Sequence, residues 1–170
     1  MRGLRKHHLA VGLGVNRTRH FLGNVYRKSF WQKLKEWVMG FVFSDRSKNN
    51  LRQVHPDLVQ VVLRALQLTE IDFVVTEGAR TLKRQEQLVR AGASRTMNSR
   101  HIPGEDGYAK AVDLAAIVGG RIRWDWPLYT KLANAMKKAA HELNVPVEWG
   151  GDWKSFKDGP HFQLSKRKYP

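Results

Sequence analysis

Ala111-Val-Asp-Leu-Ala-Ala-Ile-Val118, followed at once by Gly119-Gly120 and Arg121-Ile-Arg-Trp124, is the stretch from which the fold can be read. An aliphatic run of this length, stopped by two glycines that tolerate the left-handed backbone of a tight turn, predicts a strand, a hairpin turn and a returning strand. One residue breaks the pattern. Asp113 lies in a segment otherwise apolar on both faces, and a carboxylate buried there is costly unless it is ion-paired or bound to a metal. A salt bridge to one of the many arginines and a metal ion both remain open for it.

Working outward, Pro127 starts a helix that runs to about Leu143, with Leu128, Leu132, Ala135, Met136 and Ala139 on one side and Lys131, Lys137 and Lys138 on the other. Val147–Trp149 and His161–Leu164 read as short strands around a loop from Gly150-Gly151 to Gly159. Upstream, His55-Pro56-Asp57 opens a helix, because proline suits a first turn and an acid suits the positive helix end. Leu58, Val61, Val62, Ala65 and Leu66 form its apolar face. Ile71 to Thr76 is rich in β-branched residues and reads as a strand, left through the turn Glu77-Gly78-Ala79-Arg80. Thr81 caps a short helix to Arg90, closed by Gly92. Ala93 to Ala109 lacks periodicity and contains Asn98, Pro103, Gly104 and Gly107, so it is expected to be a loop, and it carries His101. Helices and hairpin-linked strands without regular βαβ alternation predict an α+β domain with a small, mostly antiparallel sheet and flanking helices.

The chain has 170 residues, enough for one domain with an extension. Residues 1–43 are expected to be a basic N-terminal arm and residues 44–170 the globular domain. The arm carries nine Lys/Arg against Glu36 alone, which is +8 of the formal +15. A pI near 10.5 predicts attraction to polyanions such as nucleic acid, anionic membrane or acidic cell-wall polymer; no specific nucleic-acid partner is expected. In the arm, Phe30, Trp31, Leu34, Trp37, Val38, Phe41 and Val42 recur at steps of three and four, an amphipathic helix beside Lys28, Lys33 and Lys35. Its stripe either packs on its own domain or, through residues 28–43, touches an anionic membrane. Leu9 to Val15 is broken by glycines and runs into Asn16-Arg17-Thr18-Arg19, so no secretory signal is expected. No apolar run reaches membrane-spanning length.

Cysteine is absent, so any zinc must be held by His, Asp or Glu. His101, Asp113 and His161 together offer two imidazoles and a carboxylate, which leave a fourth tetrahedral position open, the pattern of a catalytic zinc. Taken singly, His101 reads equally as a solvated loop histidine and His161 as a half-buried structural one. Amide hydrolysis beside such an ion needs a general base, and Asp158, three residues before His161 across a Gly-Pro turn, is placed for it. Asp-Gly is also a common turn start, so a turn role stays open. Developing negative charge favours a nearby cation, for which Arg80, after a glycine turn, is one candidate among many. Trp149-Gly150-Gly151-Asp152-Trp153 reads either as an aromatic-walled groove or as core.

Ser99-x-His101, Ala111-Val112-Asp113-Leu114, Glu148-Trp149-Gly150-Gly151 and Asp158-Gly159-Pro160-His161-Phe162 resemble the zinc peptidases of the VanX/VanY and Hedgehog-like fold, and most of all the phage endolysins of the L-alanyl-D-glutamate peptidase type. The resemblance runs from about residue 45 to the C-terminus. It takes in His55-Pro56-Asp57-Leu58, Glu77-Gly78-x-Arg80-Thr81 and Trp124-Asp125-Trp126-Pro127-Leu128-Tyr129. It implies that His101, Asp113 and His161 bind zinc, that Asp158 is the catalytic base and that Arg80 stabilises the substrate carbonyl. It also implies that the substrate is the peptidoglycan stem peptide, cut between L-Ala and D-Glu for host lysis. The protein would then be made in the bacterial cytoplasm, act at the periplasmic cell wall, and work as a monomer. Eleven residues lie between His101 and Asp113, more than is usual in that family, as though Glu105 to Ala109 were inserted. The extra stretch offers Glu105 or Asp106 as a rival carboxylate or a calcium ligand. Two other readings stand beside this one: a VanY-type D-Ala-D-Ala carboxypeptidase, and a non-catalytic cationic cell-wall-binding module.

Overall fold

The computed structural model describes residues 41–170; the run Leu9–Val15 and the expected helix of the basic arm up to residue 40 lie outside the described residues. Phe41 and Val42, the last positions of that stripe, fall in a segment without helix. Phe43 packs edge-on against Phe73 with ring centroids 5.3 Å apart, so residue 43 belongs to the packed core. A short helix not anticipated from the sequence follows, α1 (Asp45–Asn50), capped by the Ser44 hydroxyl. It has no apolar stripe to betray it, and its one buried side chain is Ser47, whose hydroxyl accepts a 3.2 Å hydrogen bond from the Val75 amide.

The remaining elements are α2 (Pro56–Leu68), β1 (Asp72–Glu77), α3 (Leu82–Arg90), β2 (Ala111–Val118), β3 (Arg121–Arg123), α4 (Trp126–Glu142), β4 (Val147–Trp149), a 3-10 turn (Gly150–Asp152) and β5 (His161–Leu164). The local signals for the helices and strands among these held, and the 3-10 turn falls where a loop was expected. His55 caps α2 by accepting from the Asp57 amide, and the Thr81 hydroxyl caps α3 by accepting from the Arg84 amide. Gly119 and Gly120 adopt φ of 58° and 74°, the left-handed conformation that a two-residue hairpin turn requires.

All strand pairs are antiparallel, in the order β1-β2-β5-β4, with β3 on the distal half of β2. The expected α+β class is therefore observed. Strand alternation sends Val112, Leu114 and Ala116 of β2, Phe73 and Val75 of β1, and Phe162 and Leu164 of β5 to one face, where all are buried. Leu58, Val61 and Val62 of α2 and Leu132, Met136 and Ala139 of α4 complete this core.

The opposite face carries Ala111 and Asp113 of β2, His161 and Gln163 of β5, and Glu148 of β4. One irregularity adds to it. The β1–β2 register passes from Val75 opposite Leu114 to Glu77 opposite Asp113, so Thr76 is an extra residue, and its hydroxyl donates to the Asp113 carbonyl at 3.0 Å. Without that bulge Glu77 would point into the core; with it, Glu77 lies beside Asp113.

Candidate active site

Asp113 on β2 is paired directly with His161 on β5, and His101 arrives from the loop above them. That loop is held by backbone: Arg80 N–H donates to the His101 carbonyl at 2.8 Å, Lys110 N–H to the Arg100 carbonyl at 2.8 Å, and His55 N–H to the Ala109 carbonyl at 2.9 Å. The extra residues between His101 and Asp113 form a compact turn within it. Gly107 N–H donates to the Gly104 carbonyl at 2.9 Å, and Asp106 accepts from the Tyr108 amide and pairs with Lys110 at 2.9 Å. Asp106 is thereby engaged by Lys110, Glu105 is exposed, and neither belongs to the cluster of His101, Asp113 and His161.

Three atoms converge in that cluster. His101 Nε2 lies 3.2 Å from Asp113 Oδ1 and 3.2 Å from His161 Nδ1, and His161 Nδ1 lies 3.3 Å from Asp113 Oδ1. Bonds of about 2.0–2.1 Å to a tetrahedral zinc would separate its ligand atoms by about 3.3–3.4 Å, so the triangle has the size that a metal ion requires. Its chemistry agrees. His101 Nδ1 lies 2.8 Å from the Gly78 carbonyl, which only accepts, so that nitrogen carries the proton and Nε2 turns a lone pair inward. His161 Nε2 lies 3.1 Å from Gln163 Oε1 and likewise carries its proton outward. Two lone pairs and a carboxylate oxygen thus face one point, an arrangement that a metal cation satisfies.

The electrostatics carry the same demand. Burial pushes the Asp113 carboxyl up, but hydrogen bonds and charge from His101 and His161 outweigh it and hold the group well below the usual carboxylate range. Burial pushes the His161 imidazole down, and Asp113 and Gln163 reverse that to a net rise. The outer oxygen of Asp113 lies 3.7 Å from Arg80. Metal and arginine, the two alternatives left open for Asp113, are therefore compatible, one at each oxygen.

The Arg80 side chain is nearly buried and its guanidinium is largely engaged: Nε and one terminal nitrogen donate to the two Glu77 oxygens, and the other terminal nitrogen donates to Gln85 at 2.6 Å. Gln85 is itself fully buried and donates to Ser94 and to the Thr96 carbonyl. Glu77, Gln85, Gln163 and Glu148 form the polar frame of the site, and reading the residues in isolation missed all four. Gln163 was the most findable, because it stands between Phe162 and Leu164 in a strand buried along its length.

Asp158 lies in the loop after the 3-10 turn, its amide donating to the Gly150 carbonyl at 3.0 Å. A Cβ on Gly150 would meet the Asp158 carbonyl at 2.5 Å and His161 Cβ at 3.2 Å, so only glycine lets these segments close. The Asp158 carboxylate makes no hydrogen bond among the described residues. Burial, then the charge of Asp113, raises its pKa above the ordinary aspartate value, against the pull of His161, His101 and Arg80. Tyr129 packs on the adjacent Gly159, and its phenol is pushed up to about 12 by burial and then by Asp158 and Asp113. The two tryptophans of 149–153 divide: Trp149 is core, stacked on Phe162 and donating to the Gly159 carbonyl at 2.8 Å, whereas the half-buried Trp153 ring lies 5.1 Å from that of His161.

Comparison with known proteins agrees with this geometry. The family described as phage L-alanyl-D-glutamate peptidase matches residues 39–165. The L-alanyl-D-glutamate peptidase of Escherichia phage T5 is 32% identical over 135 residues, covering 77% of this chain and 94% of its own. The peptidoglycan L-alanyl-D-glutamate endopeptidase CwlK of Bacillus subtilis is 34% identical over 103 residues, 55% of this chain and 61% of its own. The crystal structure of the L-Ala D-Glu endopeptidase ChiX of Serratia marcescens superposes with a TM-score of 0.70 at 47% identity, over 78% of this chain and 96% of that one.

Proposed function

The chain belongs to the phage L-alanyl-D-glutamate peptidase family, and from that membership we propose that it is a zinc peptidase that hydrolyses the L-Ala–D-Glu bond of peptidoglycan stem peptides and so lyses bacterial cells. The observation that carries the reading is the triangle of two inward lone pairs and one carboxylate oxygen, 3.2–3.3 Å on a side, with the Asp158 carboxylate on the adjoining loop, which has no hydrogen bond among the described residues.

In this reading His101, Asp113 and His161 hold the zinc. Zinc bound there supplies Lewis acidity toward water and the scissile carbonyl. Asp158 takes the proton of the attacking water and hands it to the departing D-Glu nitrogen. Arg80, paired with Glu77, holds Asp113 from its outer oxygen and helps keep that carboxylate ionised. Trp153 walls the site beside His161 and shields it from water. The basic arm, expected over residues 1–43 but ending short of Phe43, which packs in the core, draws the catalytic domain to anionic membrane or wall polymer.

Mass spectrometry of peptidoglycan digested by the protein tests the reaction. New L-Ala C-termini and D-Glu N-termini are expected. Release of free D-Ala alone would make the enzyme a carboxypeptidase, and an undigested polymer would leave only a binding role.

A further inference from the structure

Behind His161 a line of polar side chains leaves the centre along the sheet. His161 and Gln163 are two residues apart on β5 and so share a face, and Glu148 of β4 sits directly opposite Gln163. His161 Nε2 donates to Gln163 Oε1 at 3.1 Å, and Gln163 Nε2 donates to Glu148 Oε2 at 2.9 Å. Gln163 is buried, so its amide has no water to fall back on. The Arg100 guanidinium, held by the Leu164 and Tyr169 carbonyls, is near enough to Glu148 to attract its charge.

We propose that Glu148 is a positioning residue for the metal centre, acting through Gln163 to hold His161 in the tautomer whose Nδ1 lone pair faces Asp113 and His101. An amide has one accepting and one donating end, and can present either to the histidine. A carboxylate only accepts, so Glu148 compels Gln163 to turn its NH2 outward and its oxygen to His161. The turned amide would set oxygen against carboxylate and NH2 against the imidazole, whose proton would then move to Nδ1 and point at the metal position. Glu148 lies outside the cluster of His101, Asp113 and His161; it removes the wrong orientation of a residue that does touch one of them.

The inference rests on the metal reading given above, and two measurements on the full chain separate them: zinc affinity by competition with a chromophoric chelator, and the ring 15N shifts of His161 in metal-free protein at a pH where the imidazole is neutral. Glu148→Ala should weaken zinc roughly 10–100-fold, the usual range for a lost outer partner of a metal ligand, and shift the ring signals toward the Nδ1-protonated form. Exchanging the pair, Glu148→Gln with Gln163→Glu, keeps every hydrogen bond and should restore both readouts. Zinc affinity in Glu148→Ala within about twofold of the parent, unchanged ring signals, or failure of the exchanged pair to recover would overturn the proposal and leave the metal centre standing. Failure of the parent to bind one zinc would remove both.

Discussion

The two faces of one sheet are built on different terms. On the core face, Val112, Leu114, Phe162 and Leu164 are held by burial alone, and any apolar side chain of similar volume would serve nearly as well. On the site face, Asp113, His161, Gln163, Glu148 and Glu77 are held by hydrogen bonds in which each donor has a named acceptor, and removing one leaves another stranded. The same backbone ladder serves both. Substitutions on the first face should therefore cost stability, and substitutions on the second should cost chemistry.

The strongest attempt to break that division is to take the metal away. Excess chelator should abolish lysis of outer-membrane-stripped Gram-negative cells, and added zinc should restore it; turbidity that keeps falling in chelator would refute a metal mechanism. Next is Asp158→Asn, expected to lower kcat by about 10²–10⁴ while zinc stays bound, since it removes proton transfer and no ligand.

The same variant sharpens the comparison through pH. Folding raises the Asp158 pKa, chiefly by burial and then by Asp113, so the folded state holds this proton more tightly than the unfolded chain. Its stabilising contribution is complete below the ordinary aspartate pKa and is lost as pH rises through the raised value. At neutral pH the metal-free Asp158→Asn protein should accordingly melt higher than its parent, with the gap closing in acid. A parent that melts as high as the variant at neutral pH would mean that the carboxylate carries no burial penalty. For turnover the base must be ionised, so the rate of the zinc-loaded enzyme should fall in acid as Asp158 takes up its proton.

On the core face, Leu114→Ala should lose about 2–5 kcal/mol in denaturant unfolding while the folded fraction keeps its kcat. Its side chain lies on the strand that carries Asp113, one residue away on the other face, so a collapse of kcat with stability intact would erase the distinction between faces. The smallest effect is expected at Thr81→Ala, which removes the cap of α3 and should cost about 1 kcal/mol with little change in turnover.

The legibility of this molecule follows the range of the interactions. The helix start at His55-Pro56-Asp57, the cap at Thr81 and the turn at Gly119-Gly120 depend on neighbours in sequence and were readable there, as was the anomaly of an aspartate in an apolar strand. α1 was not readable, because it is fixed by Ser47 bonding to a strand 28 residues away. The aromatic stretch 149–153 could be read two ways, and the fold used both, Trp149 inward and Trp153 at the site.

By itself the sequence determined which residues could hold a metal, since only His, Asp and Glu were available, and which strands and helices would carry them, since side-chain period follows from local backbone geometry. Only the tertiary structure decided which nitrogen of each histidine turns inward, because the choice is made by Gly78 and Gln163 from across the fold. It also decided that Glu77 faces Asp113, because a single extra residue in β1 reverses the side to which every later side chain points. A strand's alternation is a local rule, but its phase against the next strand is set by pairing.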